Sequence, residues 1–110
     1  MTLPNVPSVT VSDLPDGTLL LDVREQDEWD AGHAPDAVHI PMSELSGRLA
    51  ELPADQDVYV ICRSGGRSAR VTAYLNGNGW DATNVDGGMQ SWESAGKALV
   101  SESQAEPQVI

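Results

Sequence analysis

Short apolar runs alternate along this chain with segments of helical periodicity, and this alternation limits the possible folds more than any other feature. The candidate strands are Val9–Val11, Leu19–Val23, Ala37–Ile40, Val58–Ile61 and Ala82–Val85. The candidate helices between and after them are Glu25–Ala31, Ser43–Leu52, Ser68–Leu75 and Gly88–Ala95. Strands that alternate with helices are typical of an α/β domain whose sheet is mostly parallel. A length of 110 residues is enough for one such domain with a single hydrophobic core.

One loop follows directly on the fourth candidate strand and contains the only cysteine of the chain. It has the sequence Cys-Arg-Ser-Gly-Gly-Arg-Ser over residues 62–68. Gly65 and Gly66 can adopt positive φ and let the loop close tightly. Its N–H groups can then point inward and bind an anion at the start of the next helix. Because the pKa of a thiol falls beside helix N-termini and cations, we predict that Cys62 is a nucleophile that acts on an anion.

The other side chains of this loop are predicted to bind the substrate. Arg67 can hold an oxyanion through two parallel hydrogen bonds, which a lysine could not do. We place Arg63 at the mouth of the loop, and Ser64 or Ser68 can add a hydroxyl donor. The alternative for Cys62 is a place in the core, where free cysteines are common. Two arginines and two glycines directly after it argue against that alternative.

The charge distribution supports an anionic ligand. The chain has 17 acidic and 6 basic residues and a formal net charge of −11. From Val58 to Trp80 it has no Asp or Glu, yet this stretch contains Arg63, Arg67 and Arg70. Such a local inversion indicates a small anionic ligand, although the three arginines could instead pair with acids elsewhere. The overall acidity argues against nucleic acid and against anionic membrane surfaces as partners.

Several classes of protein do not fit this composition. No apolar run approaches the ~20 residues that span a membrane, and the N-terminus lacks the pattern of a signal peptide. A single cysteine cannot form an intramolecular disulfide, and metal sites usually need more thiols or clustered histidines. We therefore expect a cytoplasmic monomer that uses no metal and no other cofactor.

Polar residues and glycines follow three of the candidate strands. Asp22 and Arg24 stand at the end of the second strand, Cys62 follows the fourth, and residues 86–88, Asp-Gly-Gly, follow the fifth. Ligands of open α/β sheets bind outside the carboxyl ends of the strands, so we expect these positions to form one functional edge. Within it, Asp22 and Arg24 are interpreted as structural rather than as substrate contacts.

Other polar positions are assigned to the scaffold. His33 and His39 lie beside a turn and in a strand, without a pattern of nearby acids, and we predict structural roles for both. The last ten residues, 101–110, contain two acids and no cation and show little periodicity. They are predicted to form a flexible acidic tail after a domain that spans residues 9–100.

At these residues the chain resembles the rhodanese-like sulfurtransferase family. Beside the cysteine loop, Leu-Leu-Asp-Val-Arg-Glu at 20–25 is similar to that family's Asp-Val-Arg segment. Gly-His-Ala-Pro-Asp-Ala-Val-His-Ile-Pro at 32–41 is similar to its Gly-His-Ile-Pro-Gly-Ala region, and Asp-Gly-Gly-Met at 86–89 with Trp92 is similar to its Gly-Gly-x-x-x-Trp ending. The resemblance runs in the same order and spacing over about residues 9–100.

This resemblance implies both a fold and a reaction. The fold is a three-layer, rhodanese-like domain with a five-stranded, mostly parallel sheet, helices on both faces and the active loop after the fourth strand. In the reaction, Cys62 takes sulfane sulfur from an anionic donor such as thiosulfate and passes it from a persulfide to cyanide, a thiol or a protein. Arg63, Arg67 and the loop N–H groups would hold the leaving anion. Ala34 and Asp36 stand where the family more often has Ile and Gly, in a connection that should not affect catalysis.

Two alternatives remain open at this point. The domain could be a persulfide carrier or a partner-binding module without fast turnover of small molecules, because an intact loop does not separate a carrier from an enzyme. It could also be a phosphatase or an arsenate-handling enzyme. Related phosphatases on this fold use a loop that is one residue longer, Cys-x5-Arg, and that position is Ser68 here. The six-residue loop Cys62–Arg67 forms a smaller site that suits a sulfur centre better than a phosphate ester.

Overall fold

The computed structural model describes residues 6–110. Its strands are β1 (Ser8–Thr10), β2 (Leu19–Asp22), β3 (Val38–His39), β4 (Val58–Ile61) and β5 (Ala82–Asp86). Its α-helices are α1 (Gln26–Ala31), α2 (Gly66–Asn76) and α3 (Gly88–Ser94). Short 3-10 turns occupy Val11–Asp13, Met42–Gly47 and Leu49–Glu51. None of the helices in the described part of the chain has the length and apolar character that crossing a membrane requires.

The strands form one sheet in the order β1-β5-β4-β2-β3. Every pairing in it is parallel, which confirms the predicted five-stranded parallel sheet. The cysteine-bearing strand β4 lies in the middle, with Ile61 at its end opposite Asp22 at the end of β2. The carboxyl ends of β2, β4 and β5 therefore meet at one edge of the sheet.

Both faces of the sheet are covered. Successive side chains of a strand point to opposite faces, and along β2 Leu21 joins one core cluster whereas Leu20 joins another. The first cluster includes Leu75 of α2, and the second includes Met89 of α3. Because a parallel sheet is buried on both faces, its strands are continuous apolar runs. This packing confirms the three-layer arrangement.

The predicted helix over Ser43–Leu52 is wrong. The structure has two 3-10 turns there, Met42–Gly47 and Leu49–Glu51, and Arg48 between them leaves the helical region at φ −126° and ψ 16°. A glycine in the middle of the segment disfavours a continuous helix by about 1 kcal/mol relative to alanine. The leucines of the segment nevertheless pack against the first core cluster, so the apolar face was predicted correctly although its helical form was not.

Trp29 of α1 is stacked between two histidines. Its ring centroid lies 3.5 Å from that of His33 at an interplanar angle of 4°, and 4.5 Å from that of His39 at 6°. His39 Nε2 lies 2.8 Å from the carbonyl oxygen of Arg24, and His33 Nε2 lies 2.8 Å from a carboxylate oxygen of Glu102. These contacts agree with structural roles for both histidines.

The C-terminal segment, residues 101–110, packs back onto the domain. The Gln108 N–H donates to the carbonyl of Ala31 (3.0 Å), and the Val109 N–H donates to the carboxylate of Glu93 (3.1 Å). The Val109 side chain packs against the second core cluster. The structure thus places part of the segment predicted as a flexible tail against the domain, where the half-buried Val109 packs on the core.

Gly32 provides a test of this packing. Its φ of 175° is extended backbone that any residue adopts, but an added Cβ would collide with the main chain of Gln108 and lie 2.7 Å from its nitrogen. We expect Gly32→Ala to displace the C-terminal segment and to lower the free energy of unfolding by about 1–3 kcal/mol, measured by urea denaturation. Gly47→Ala is the control, because an added Cβ there has no described heavy atom within 4 Å. Equal stability of the two variants would contradict the packing.

Candidate active site

Cys62 lies at the carboxyl edge of the sheet. It follows β4 directly, is only 1% exposed and belongs to the first core cluster together with Val71 of α2. The ends of β2 and β5 bring Asp22 and Asp86 to the same edge. A nearly covered thiol with polar strand ends around it is placed where ligands of open α/β sheets bind.

The backbone after Cys62 turns tightly and directs an N–H group at the sulfur. Gly65 precedes the first residue of α2 with φ 113°, in the left-handed region that favours glycine. Its N–H donates to Cys62 Sγ at 3.1 Å. Gly66 is the first residue of α2, two positions earlier than the predicted start of this helix. The positive end of the helix dipole therefore lies beside the sulfur.

The N-terminus of α3 holds the opposite side of the loop. The Met89 N–H donates to the Cys62 carbonyl (2.8 Å), and the Gln90 N–H donates to the Arg63 carbonyl (3.0 Å). An added Cβ on Gly88 would collide with the Cys62 carbonyl and lie 2.7 Å from the Arg63 oxygen, so only glycine permits this approach. Since the loop carbonyls point to α3, the loop N–H groups remain free to face the sulfur.

Ser68 supplies a hydroxyl group under the loop. Its side chain is fully buried, and Oγ lies 3.3 Å from Cys62 Sγ and 2.6 Å from Oδ1 of Asn84. Asn84 lies on β5 and is 4% exposed. Asn84 was not among the predicted site residues. A signal for it was present, since Asn84 is two positions after Ala82 and therefore on the same, buried face of the strand.

The surroundings of Cys62 favour the thiolate. Burial raises the pKa of the Cys62 thiol, but hydrogen bonds outweigh burial, and the pKa is lowered from its ordinary value. The donors are the Ser68 hydroxyl and the main-chain N–H groups of Ser68, Gly65 and Ser64. Hydrogen bonds to the charged form of a group stabilise that form, so these donors favour the thiolate of Cys62 more than free solution does.

Arg67 pairs with a distant acid, as the alternative interpretation of the arginines allowed, although Glu28 was not predicted as its partner. Its two terminal nitrogens donate to the two carboxylate oxygens of Glu28 at 2.7 and 2.8 Å. This hydrogen bonding raises the pKa of Arg67 and lowers that of Glu28. Glu28 is fixed in turn at the start of α1, where it accepts from the Glu25 N–H (3.0 Å) in a capping box. The Glu-x-x-Glu spacing at a helix start was the available signal.

The remaining loop side chains lie at the rim. Arg63 and Ser64 are exposed, and Arg63 Nε donates to the carbonyl of Ile110 at 2.9 Å. The structure thus brings Cys62, Gly65 and Ser68 into direct contact, whereas both loop arginines contact other partners.

Asp22 and Arg24 form a fully buried ion pair beside the site. Arg24 Nε donates to Asp22 Oδ1 at 3.0 Å, and its NH2 donates to Asp22 Oδ2 at 2.8 Å. The same NH2 donates to the Gly32 carbonyl at 2.8 Å, which ties the end of α1 to the sheet. These contacts agree with the structural interpretation of the pair.

Comparison with known proteins agrees with the fold. The family model of the rhodanese-like domain matches residues 10–95. A sulfurtransferase of Allochromatium vinosum is 40% identical over 83 residues, which is 74% of this chain and 78% of that protein. A thiosulfate sulfurtransferase, GlpE, of Pseudomonas syringae is 34% identical over 79 residues, 71% of this chain and 74% of that protein.

A solved structure gives the same result. The crystal structure of a rhodanese-related protein from Thermoplasma volcanium superposes with a TM-score of 0.81 at 35% identity, over 86% of this chain and 97% of that chain. The family model covers more than half of the chain, and the loop of Cys62 follows the central strand of the shared sheet. This chain belongs to the rhodanese-like domain family.

Proposed function

We propose that this domain is a sulfurtransferase that moves sulfane sulfur from an anionic donor such as thiosulfate to a thiophilic acceptor through a persulfide on Cys62. The observation that carries the proposal is the pair of donors on the sulfur, the Gly65 N–H at 3.1 Å and the Ser68 hydroxyl at 3.3 Å. They stabilise the nucleophilic thiolate, and they can stabilise the terminal sulfur anion of a persulfide in the same way. Relatives named as sulfurtransferases at 34–40% identity support the assignment.

The proposed reaction has two steps. The Cys62 thiolate attacks the outer sulfur of thiosulfate, so that a new S–S bond forms while the S–S bond of the donor breaks. The electron pair of the broken bond leaves with sulfite. A nucleophilic acceptor, which is cyanide, a thiol or a protein thiol, then attacks the terminal sulfur and regenerates the thiolate. Such a covalent intermediate gives ping-pong kinetics.

The rim of the loop meets the donor first. Cys62 is nearly covered, whereas Arg63 and Ser64 are exposed. The guanidinium of Arg63 carries the charge that attracts an anion at this rim, and the N–H groups around Gly66 lie at the start of α2, where anions bind. Arg67 faces the same loop but shares its charge with Glu28.

Loop length favours sulfur over phosphate chemistry. Arg67 is the sixth residue of the loop counted from Cys62. Because α2 already begins at Gly66, the turn between β4 and α2 is short. A sulfur atom needs a smaller site than a tetrahedral phosphate ester. Hydrolysis of an aryl phosphate by the unmodified chain, but not by Cys62→Ser, would instead support the phosphatase alternative.

The persulfide itself can be detected by its mass. Incubation of the reduced chain with thiosulfate is expected to add the mass of one sulfur atom, and cyanide is expected to remove it, as measured by intact mass spectrometry. The Cys62→Ser variant, in which a hydroxyl of similar size replaces the thiol, should show no gain. A folded and reduced chain that gains no sulfur from thiosulfate or mercaptopyruvate would overturn the proposal.

The rate of the second step separates an enzyme from a carrier. Steady turnover with cyanide or a small thiol is expected of an enzyme. A persulfide that forms readily but is discharged slowly by small acceptors, and rapidly by one protein, would instead assign the carrier role.

The role of Arg67 can be tested by substitution. Arg67→Ala is expected to raise the KM for thiosulfate about tenfold, because it removes a charge-assisted donor and leaves the Glu28 carboxylate facing the loop. Glu28→Gln combined with Arg67→Ala removes the stranded carboxylate and isolates the contribution of the arginine. Arg70→Ala is the matched control, since Arg70 lies on the exposed side of the same helix. If Arg67→Ala and Arg70→Ala gave the same KM, Arg67 would have no role in donor binding.

A further inference from the structure

The hydroxyl of Ser68 has one proton and two possible acceptors. Asn84 Oδ1 lies 2.6 Å from Ser68 Oγ, and Cys62 Sγ lies 3.3 Å from it. Ser68 is 0% exposed, Asn84 4% and Cys62 1%, so water does not readily relieve this competition. The direction in which Ser68 donates therefore depends on what Asn84 offers to it.

Asn84 lies beneath the loop from a neighbouring strand. It pairs with Val60 of β4, two positions before Cys62. Its Nδ2 is 4.0 Å from the position that a Cβ on Gly65 would occupy. The amide therefore lies between β5 and the turn that holds the sulfur. A buried amide is costly unless it makes hydrogen bonds, and Ser68 is its partner here.

An asparagine side chain can serve both charge states of the sulfur. With Oδ1 toward Ser68, the amide accepts the hydroxyl proton. After a half-turn of the amide, Nδ2 donates to Ser68 Oγ instead, and the hydroxyl proton is free for the sulfur. A thiolate or a persulfide anion only accepts hydrogen bonds, so it requires the second arrangement. A carboxylate at this position could only accept.

We propose that Asn84 is a positioning residue that directs the Ser68 hydroxyl to the sulfur of Cys62 when this sulfur is an anion. Asn84, Ser68 and Cys62 then form one hydrogen-bond chain, in which each donor strengthens the next. The catalytic meaning of this chain rests on the proposed function of Cys62. Its effect on the ionisation of the thiol does not, and that effect can be measured without any sulfur donor.

Charged groups on four elements face the loop and must stay unchanged in a test. Arg63 lies on the loop, Arg67 of α2 is paired with Glu28 of α1, Asp86 ends β5, and Asp22 with Arg24 ends β2. The Asp86 carboxylate lies 3.7 Å from the position of an added Cβ on Gly65. Neither Ser68 nor Asn84 hydrogen-bonds to any of these groups, so substitutions at the two positions leave those contacts in place.

The test measures thiol ionisation in the full chain. Thiolate ultraviolet absorbance is followed against pH, with Cys62→Ser subtracted, and because Cys62 is the only cysteine the signal reports this residue alone. Because the native site lowers the pKa of Cys62, the unmodified chain should ionise below the ~8.5 of a free cysteine. Asn84→Asp is expected to raise the pH of half-ionisation by about one unit, since an acceptor-only side chain keeps the hydroxyl proton. Asn78→Asp adds the same charge on an exposed turn and should cause no shift.

The Ser68→Ala background distinguishes a hydrogen-bond chain from a simple charge effect. Ser68→Ala alone should raise the pH of half-ionisation, because it removes a donor to the sulfur. If Asn84 acts through Ser68, Asn84→Asp adds little further shift in this background. An equal shift in both backgrounds, or no shift in either, would overturn the proposal.

A second variant covers the case in which Asn84→Asp does not fold. Asn84→Ala removes the amide without adding a charge, and it is expected to cause a smaller rise that also disappears with Ser68→Ala. A rise that persists without the hydroxyl would overturn the proposal. Failure of the chain to form a persulfide would remove the proposed function but leave this result unaffected.

Discussion

The hydrogen bonds from the N-terminus of α3 to the carbonyls of Cys62 and Arg63 determine the orientation of the whole loop. A loop of this length has few ways to satisfy its main-chain groups. Once its carbonyls are bound by α3, its N–H groups can turn to the sulfur, and Gly65 completes the turn into α2 with a positive φ. The glycine at position 88 is what allows the two backbones to approach this closely. The geometry of the loop between β4 and α2 thus depends on a contact made by α3, which follows β5 in the chain.

The pairing of Arg67 with Glu28 limits what this arginine can contribute to the proposed binding of an anion. A bare arginine would attract any anion, whereas a guanidinium with both terminal nitrogens on a carboxylate contributes orientation with little net charge. The hydrogen-bond donors that point at Cys62 Sγ are instead the Gly65 N–H and the Ser68 hydroxyl. Arg63 lies at the exposed rim, and in the proposed reaction it is the cation that an incoming donor meets first.

The sequence predicted those features whose residues are close together along the chain. The parallel sheet followed from alternating apolar runs. The position of the Cys62 loop between β4 and α2 followed from a cysteine beside two glycines and two arginines, because strand, turn and helix start are contiguous there. Glu28 and Asn84 were missed because each meets its partner from a distant part of the chain, 39 and 16 residues away. The packing of residues 101–110 depends on tertiary contacts, which periodicity does not encode. The turns over residues 42–51 have a local cause, because Gly47 interrupts the helix that the spacing of the leucines predicts.

The stacking of Trp29 between His33 and His39 has an optical consequence. An aromatic ring in face-to-face contact with an excited indole can quench it, and Trp29 has two such contacts, so its emission should be weaker than that of an unstacked tryptophan. Trp80 and Trp92 donate their ring N–H groups to main-chain carbonyls elsewhere and do not share this quencher. His33 also contacts Glu102 of the C-terminal segment. The three tryptophans should therefore contribute unequally to the intrinsic fluorescence of the domain, and Trp29 is the one whose stacking partner also contacts the C-terminal segment.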